Sequence, residues 1–180
     1  MSKEWPLDDV KNRRWEAVLG YVDDLCVDAD GNGLSLLLCS VAYFDAPPEL
    51  IDALVLGGAD PSYRNMGRTD VRFGSGLEPG STPIGQTVLG ASRDRHDTLP
   101  ALRRLIAAHA DVNGFTYSGY TPVQLAIVMG QHAHARMLLE SGADPWAPSA
   151  DPDRPTAFDF ADDPAAIELL KPFAQRGRPA

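Results

Sequence analysis

An all-α fold, a solenoid of stacked helical hairpins, is predicted for this 180-residue sequence by three observations. A short string ending in Ala-Asp recurs as Gly58-Ala59-Asp60, His109-Ala110-Asp111 and Gly142-Ala143-Asp144, the last two alanines lying 33 residues apart. Each copy closes an apolar stretch whose spacing lays one stripe along a helix: Leu50, Ile51, Leu54 and Val55, then Leu102, Leu105 and Ile106, then Met137, Leu138 and Leu139. Ahead of each stretch lies a shorter helical segment with its own start signal. Recurrence at such a period marks repeat architecture, in which each unit buries its apolar face only against its neighbours.

The elements follow in chain order. About residues 14 to 26 read as a helix with Trp15, Val18, Leu19 and Val22 on one face. Ser35-Leu36-Leu37 is a weak helix start. Thr82-Pro83-Ile84 and Thr121-Pro122-Val123 are stronger ones, because threonine offers an oxygen to the first free N–H groups and proline at the first helical position gives up an N–H that has no partner there anyway. Thr156-Ala157-Phe158-Asp159-Phe160-Ala161 is a fourth start, and Ile167, Leu169 and Leu170 close the last helical stretch.

The pattern Gly119-Tyr120-Thr121-Pro122-Val123-Gln124-Leu125-Ala126, continued through Gly130 to Leu138-Leu139-Glu140-Ser141-Gly142-Ala143-Asp144, resembles the ankyrin repeat. The resemblance covers about four fifths of the chain and implies a single domain over 1–180. Its parts are an N-terminal cap (14–32), a repeat (33–60), an insertion (61–79), repeats at 80–113 and 119–146, and a C-terminal cap (154–171). In the copy at 80–111, Gln86 and Thr87 replace an expected apolar residue and alanine. The span from Asp60 to Gly80 is longer than the later hairpin, and Ser92 to Leu99 expands a turn that is normally tight. Loops of that length in a compact domain are usually functional or disordered.

Composition narrows the function classes. A formal charge of -9 sets a negative field that repels phosphate backbones and anionic lipid, which argues against nucleic acid and membranes and for a protein with a basic surface. Cys26 and Cys39 form no CxxC pair and sit among Leu and Val, as buried small hydrophobes do. The N-terminus is polar, and no apolar run approaches the roughly 18 residues of a spanning helix, so a cytoplasmic protein is expected.

Groups that suggest chemistry are incomplete. Asp28-Ala29-Asp30-Gly31-Asn32-Gly33 opens like a calcium loop, but Cys39 stands where the closing glutamate belongs. Gly74-Ser75-Gly76-Leu77-Glu78-Pro79-Gly80 has proline in place of the third glycine of a phosphate loop. His132 and His134 are two apart on one helix and point in different directions, while His96 and His109 have no partner at ligand spacing. Asp23-Asp24 and Asp162-Asp163 read as solvated helix ends. No cofactor, metal or catalytic residue is therefore expected.

What the resemblance implies is a binding surface: hairpin tips and first helices lining a concave groove, with second helices at the back. Phe115, Tyr117 and Tyr120 fall on one hairpin and are expected to be solvent-exposed there. Tyr43, Val128 and Met129 fall on contact positions of the first helices, and Trp146 at the next tip. Exposed aromatics of this kind anchor interfaces. The locally basic stretch Arg64 to Phe73 reaches over the groove or tucks against the acidic N-terminal segment; the sequence leaves both open. Thirteen Arg against three Lys, with abundant Ala, Gly, Pro and Asp, suggest a high-GC bacterial source, and a small acidic ankyrin chain resembles immunity proteins that cover a toxin's active site. Two alternatives stand beside it: a regulatory or scaffolding subunit, and a metal-dependent hydrolase in which Asp94, His96 and Asp97 converge.

Overall fold

The computed structural model describes residues 7–22, 33–66 and 77–177. Among them there is no β-strand, and no helix is long and apolar enough to cross a membrane. The helices are α1 (Leu7–Lys11), α2 (Trp15–Leu19), α3 (Gly33–Tyr43), α4 (Pro48–Leu56), α5 (Pro83–Arg93), α6 (Leu99–Ala107), α7 (Pro122–Val128), α8 (His132–Glu140) and α9 (Pro164–Arg176). Two short 3-10 turns, η1 (Tyr117–Gly119) and η2 (Ala157–Phe160), precede α7 and α9.

The helices stack in two rows. One runs α3, α5, α7, η2 and the other α4, α6, α8, α9, with α2 against α4 and each first helix paired to the second helix that follows it. Between the rows lies a continuous core containing Leu37, Leu50, Leu54, Ile84, Leu102, Leu105, Leu125 and Leu138. The apolar stripes supply the second row of that core, so the burial that holds each helix exists only when its neighbour is present.

Local chemistry explains why the chain breaks where it does. Thr82 Oγ1 accepts the Gly85 N–H at 3.1 Å, and Thr121 with Gln124 forms a reciprocal cap in which the Gln124 side chain accepts the Thr121 N–H at 2.8 Å. At the far ends, Gly58, His109 and Gly142 all take positive φ, at 104°, 62° and 93°. The next residue then donates back five positions: Ala59 to Leu54, Ala110 to Leu105 and Ala143 to Leu138, at 2.9, 3.0 and 3.0 Å. This is the Schellman ending, which satisfies carbonyls the helix leaves free. The three alanines are buried, and each following aspartate folds a turn, accepting the N–H of Ser62, Asn113 or Trp146 at 2.8 to 2.9 Å. Successive turns are laced together: the Asp111 N–H donates to Ser62 Oγ and the Asp144 N–H to Asn113 Oδ1.

The polar residues in the degenerate copy are buried yet satisfied. Gln86 donates to Ser81 Oγ at 3.0 Å and Thr87 to the Ile84 carbonyl at 2.7 Å, so neither leaves an orphan in the core. Helix α5 also approaches α3 closely, since a Cβ at Gly90 would collide with the Tyr43 carbonyl oxygen.

Three expectations need correction. The helix expected over about 14–26 breaks early, since α2 stops at Leu19 and Gly20-Tyr21 form a turn, and a separate short helix, α1, precedes it; Val18 and Val22 are buried but Leu19 is 39% exposed. The last helix extends to Arg176, beyond Lys171, and presents Ile167 outward rather than to the core. Tyr117, Tyr120 and Trp146 are half-buried against the side chains of Arg93, Phe160 and Phe158. Cys39 is buried, and burial drives its thiol far above the usual range, which leaves it a small hydrophobe. Cys26, the Asp28–Asn32 stretch, residues 67–76 of the insertion and the second half of the proposed N-terminal cap lie outside the described residues.

Candidate protein-binding surface

The C-terminal end of α5 gathers three of the seven candidate residues. Tyr43, at the end of α3, donates its hydroxyl to Asp94 Oδ2 at 2.7 Å, and burial together with that carboxylate pushes the phenol up to about 12. The Arg93 guanidinium lies 5.8 Å from the centre of the Tyr117 ring. Ser92 Oγ lies 3.6 Å from Met129 Sδ, within range of a weak hydrogen bond to sulfur. Three consecutive residues thus tie together α3, the η1 hairpin and the end of α7. Val128, beside Met129, remains 42% exposed.

Behind this junction the widened turn between α5 and α6 is pinned to the N-terminal segment. His96 packs edge-on to Tyr43 and beside Phe44, with ring centres 5.9 and 5.5 Å away. Its Nδ1 meets Arg13 Nη2 at 2.5 Å, and Arg13 Nε pairs with Asp45 at 3.0 Å. The expanded turn therefore has a structural use, joining the first described helices to the middle of the stack.

The other candidates divide between two places. Tyr120 meets Phe160 edge to face at 5.3 Å, and Trp146 stacks on Phe158 at 4.2 Å, so both half-buried rings are held by η2. Phe115 is 39% exposed and lines a cavity of about 220 Å³ with Pro61, Arg64, Ile84 and Asp111. The expectation of three solvent-exposed rings on one hairpin thus fits Phe115 alone. Arg93 covers Tyr117 and Phe160 covers Tyr120, partners that lie 24 and 40 residues away in the chain, beyond what local spacing reveals.

Arg13, Arg93, Asp94, His96, Phe158 and Phe160 were not singled out for this surface from sequence, although the expanded 92–99 turn marked the place where three of them act. Asp94 and His96 do approach, Nε2 to Oδ2 at 3.6 Å, but Asp94 already accepts the Tyr43 hydroxyl. Among the described residues no group of three or more His, Cys, Asp and Glu is placed to hold a metal ion. His132 pairs with Asp163 at 3.1 Å while His134 turns inward to Thr98, the divergence that helix geometry requires of residues two apart.

Stacked helix pairs, laced hairpin turns and a side-chain junction spanning neighbouring units define the class: an all-α repeat protein whose surface is built across units. Residues 118–150 match the family model of the ankyrin repeat, so the chain carries an ankyrin repeat there. Repeats of this family generally bind other proteins and typically do so without catalysis, which makes the chain a protein-interaction module.

Proposed function

We propose that this chain binds a protein with a basic surface through a concave inner face, made by the row of first helices α3, α5 and α7 with their hairpin tips, while α4, α6, α8 and α9 form the outer row, that it does so without turnover, and that Tyr43, Phe115, Tyr117, Tyr120, Val128, Met129 and Trp146 are the residues that meet the partner. The whole of 1–180 acts as one domain, the two ends serving as caps. The observation that carries this reading is the junction at the end of α5, where Tyr43, Tyr117 and Met129 are held by Asp94, Arg93 and Ser92 beside exposed Val128. Ordered side chains lose little freedom on binding, which is the condition for an interface anchor.

Within that class the reading is a cytoplasmic bacterial immunity protein that covers the active site of a toxin. The charge of -9 supports it, since an acidic inhibitor is steered toward a basic enzyme. The test is coexpression of the chain with the product of an adjacent reading frame that kills the host. Survival that is lost with Val128→Asp, in a variant that melts like the wild type, supports the reading. Death despite normal expression of the chain counts against it. A pull-down returning only subunits of a housekeeping assembly favours a scaffold instead.

A further inference from the structure

The end of the stack formed by η2 and α9 carries an apolar strip that no helix among the described residues covers. Ile167 is 53% exposed, and with Phe158, Ala161, Leu170 and Ala174 it lines a shallow cavity of about 220 Å³. Its floor is fixed, because Phe158 is stacked on Trp146 and Leu170 is anchored in the core. Such a hollow accepts an aliphatic side chain without rearrangement.

Charge says what should flank that side chain. Residues 151–163 hold five aspartates and one arginine, and two of the aspartates, Asp159 and Asp162, directly follow the lining residues Phe158 and Ala161. The arginine, Arg154, lies 3.5 Å from Asp162 and offsets only one charge. Lys171 also lines the cavity, but Glu168 meets its charge at 3.1 Å. The rim is therefore negative. A second copy of the chain would bring the same aspartates face to face, on a molecule already at -9, and like charges across an interface oppose docking.

We propose that this end face is a second docking surface, separate from the inner face, and that it takes a protein segment presenting an aliphatic side chain between lysines or arginines. The aliphatic group enters the hollow beside Ile167, and the basic groups meet the aspartate rim. Nothing in this step depends on Tyr43, Tyr117 or Val128.

The experiment is calorimetric titration of the full chain with a synthetic amphipathic helix that has leucines on one face flanked by lysines, and with the same helix carrying glutamates instead. The lysine helix is expected to bind and the glutamate helix not. Ile167→Ser and Asp162→Lys, both at exposed positions, should each weaken binding about tenfold or more, while Val128→Asp on the inner face leaves it unchanged. Thermal melting of each variant shows that the fold is retained. Equal binding of the two helices, or wild-type binding by Ile167→Ser, would overturn the proposal. So would sedimentation showing a dimer that Ile167→Ser dissolves, since the occupant would then be a second copy.

Discussion

His134 Nε2 lies 2.9 Å from Thr98 Oγ1, inside the stack where the turn before α6 meets α8. Thr98 has a single hydroxyl proton and the Thr87 carbonyl, 2.6 Å away, can only accept it. The imidazole is therefore the donor to Thr98 and carries a proton on Nε2. Three elements are joined by this chain of bonds: α5 through its Thr87 carbonyl, the turn before α6, and α8.

A pH dependence follows from that bond. Burial lowers the His134 pKa from 6.5 to about 4, outweighing the attraction of Asp97. Between those values the unfolded chain binds the proton and the folded chain does not, so stability falls as the pH drops from 6.5 toward 4, by about 3 kcal/mol in full. Asp159 and Asp163 are held below the usual carboxylate range by hydrogen bonds, so their contributions are lost only at lower pH. Urea midpoints measured across this window should decline for the wild type and stay flatter for His134→Gln, which keeps an N–H donor but does not titrate. Parallel declines would refute the assignment.

His109 sits where the other two copies have glycine, at φ 62°. A side chain in the left-handed region costs about 1–2 kcal/mol, and glycine recovers this less its extra freedom when unfolded. His109→Gly is therefore expected to stabilise the protein by up to about 1 kcal/mol, read as a higher melting temperature. A lower one would mean that the imidazole makes a contact worth more than the strain.

Gly90 is required by the approach of α5 to α3. Adding a methyl group pushes the helix from the Tyr43 carbonyl, and such overpacking costs about 1–3 kcal/mol. Because the same end of α5 holds Tyr43, Tyr117 and Met129, Gly90→Ala should also disturb the candidate surface, visible as shifts in the NMR signals of those three residues.

The aromatic candidates should separate in their effect on stability. Tyr120→Ala removes an edge-to-face partner of Phe160 and should cost about 2 kcal/mol, whereas Phe115→Ala, at an exposed ring, should cost well under 1 kcal/mol. Chemical denaturation of the two single variants checks this, and equal losses would show that Phe115 is packed in solution. Loss of binding by Tyr120→Ala alone would for this reason be ambiguous, and Phe115 and Val128 are the better positions at which to probe function.

What was legible in the sequence was whatever local chemistry enforces. Thr121, Pro122 and Gln124 cap α7 with their own side chains, and Gly142-Ala143-Asp144 ends α8 through a positive φ, a buried methyl and a carboxylate turn, all within a few residues. The substitution of Gln86 and Thr87 weakened that signal, but their hydrogen bonds run to Ser81 and Ile84, so the helix survives. The cover over Tyr117 and Tyr120 was not legible, because Arg93 and Phe160 come from neighbouring units and only stacking brings them near. The link from Arg13 to His96 spans 83 residues and had no local trace.

The most direct test of the central claim, that the inner face is what meets a partner, is site-specific photocrosslinking. A benzophenone amino acid is placed at Val128 on the inner row, and separately at Arg103, an exposed position on α6 in the outer row, in cells that make the chain. A partner adduct from position 128 and none from 103 is the predicted result. Adducts from 103 alone would contradict it.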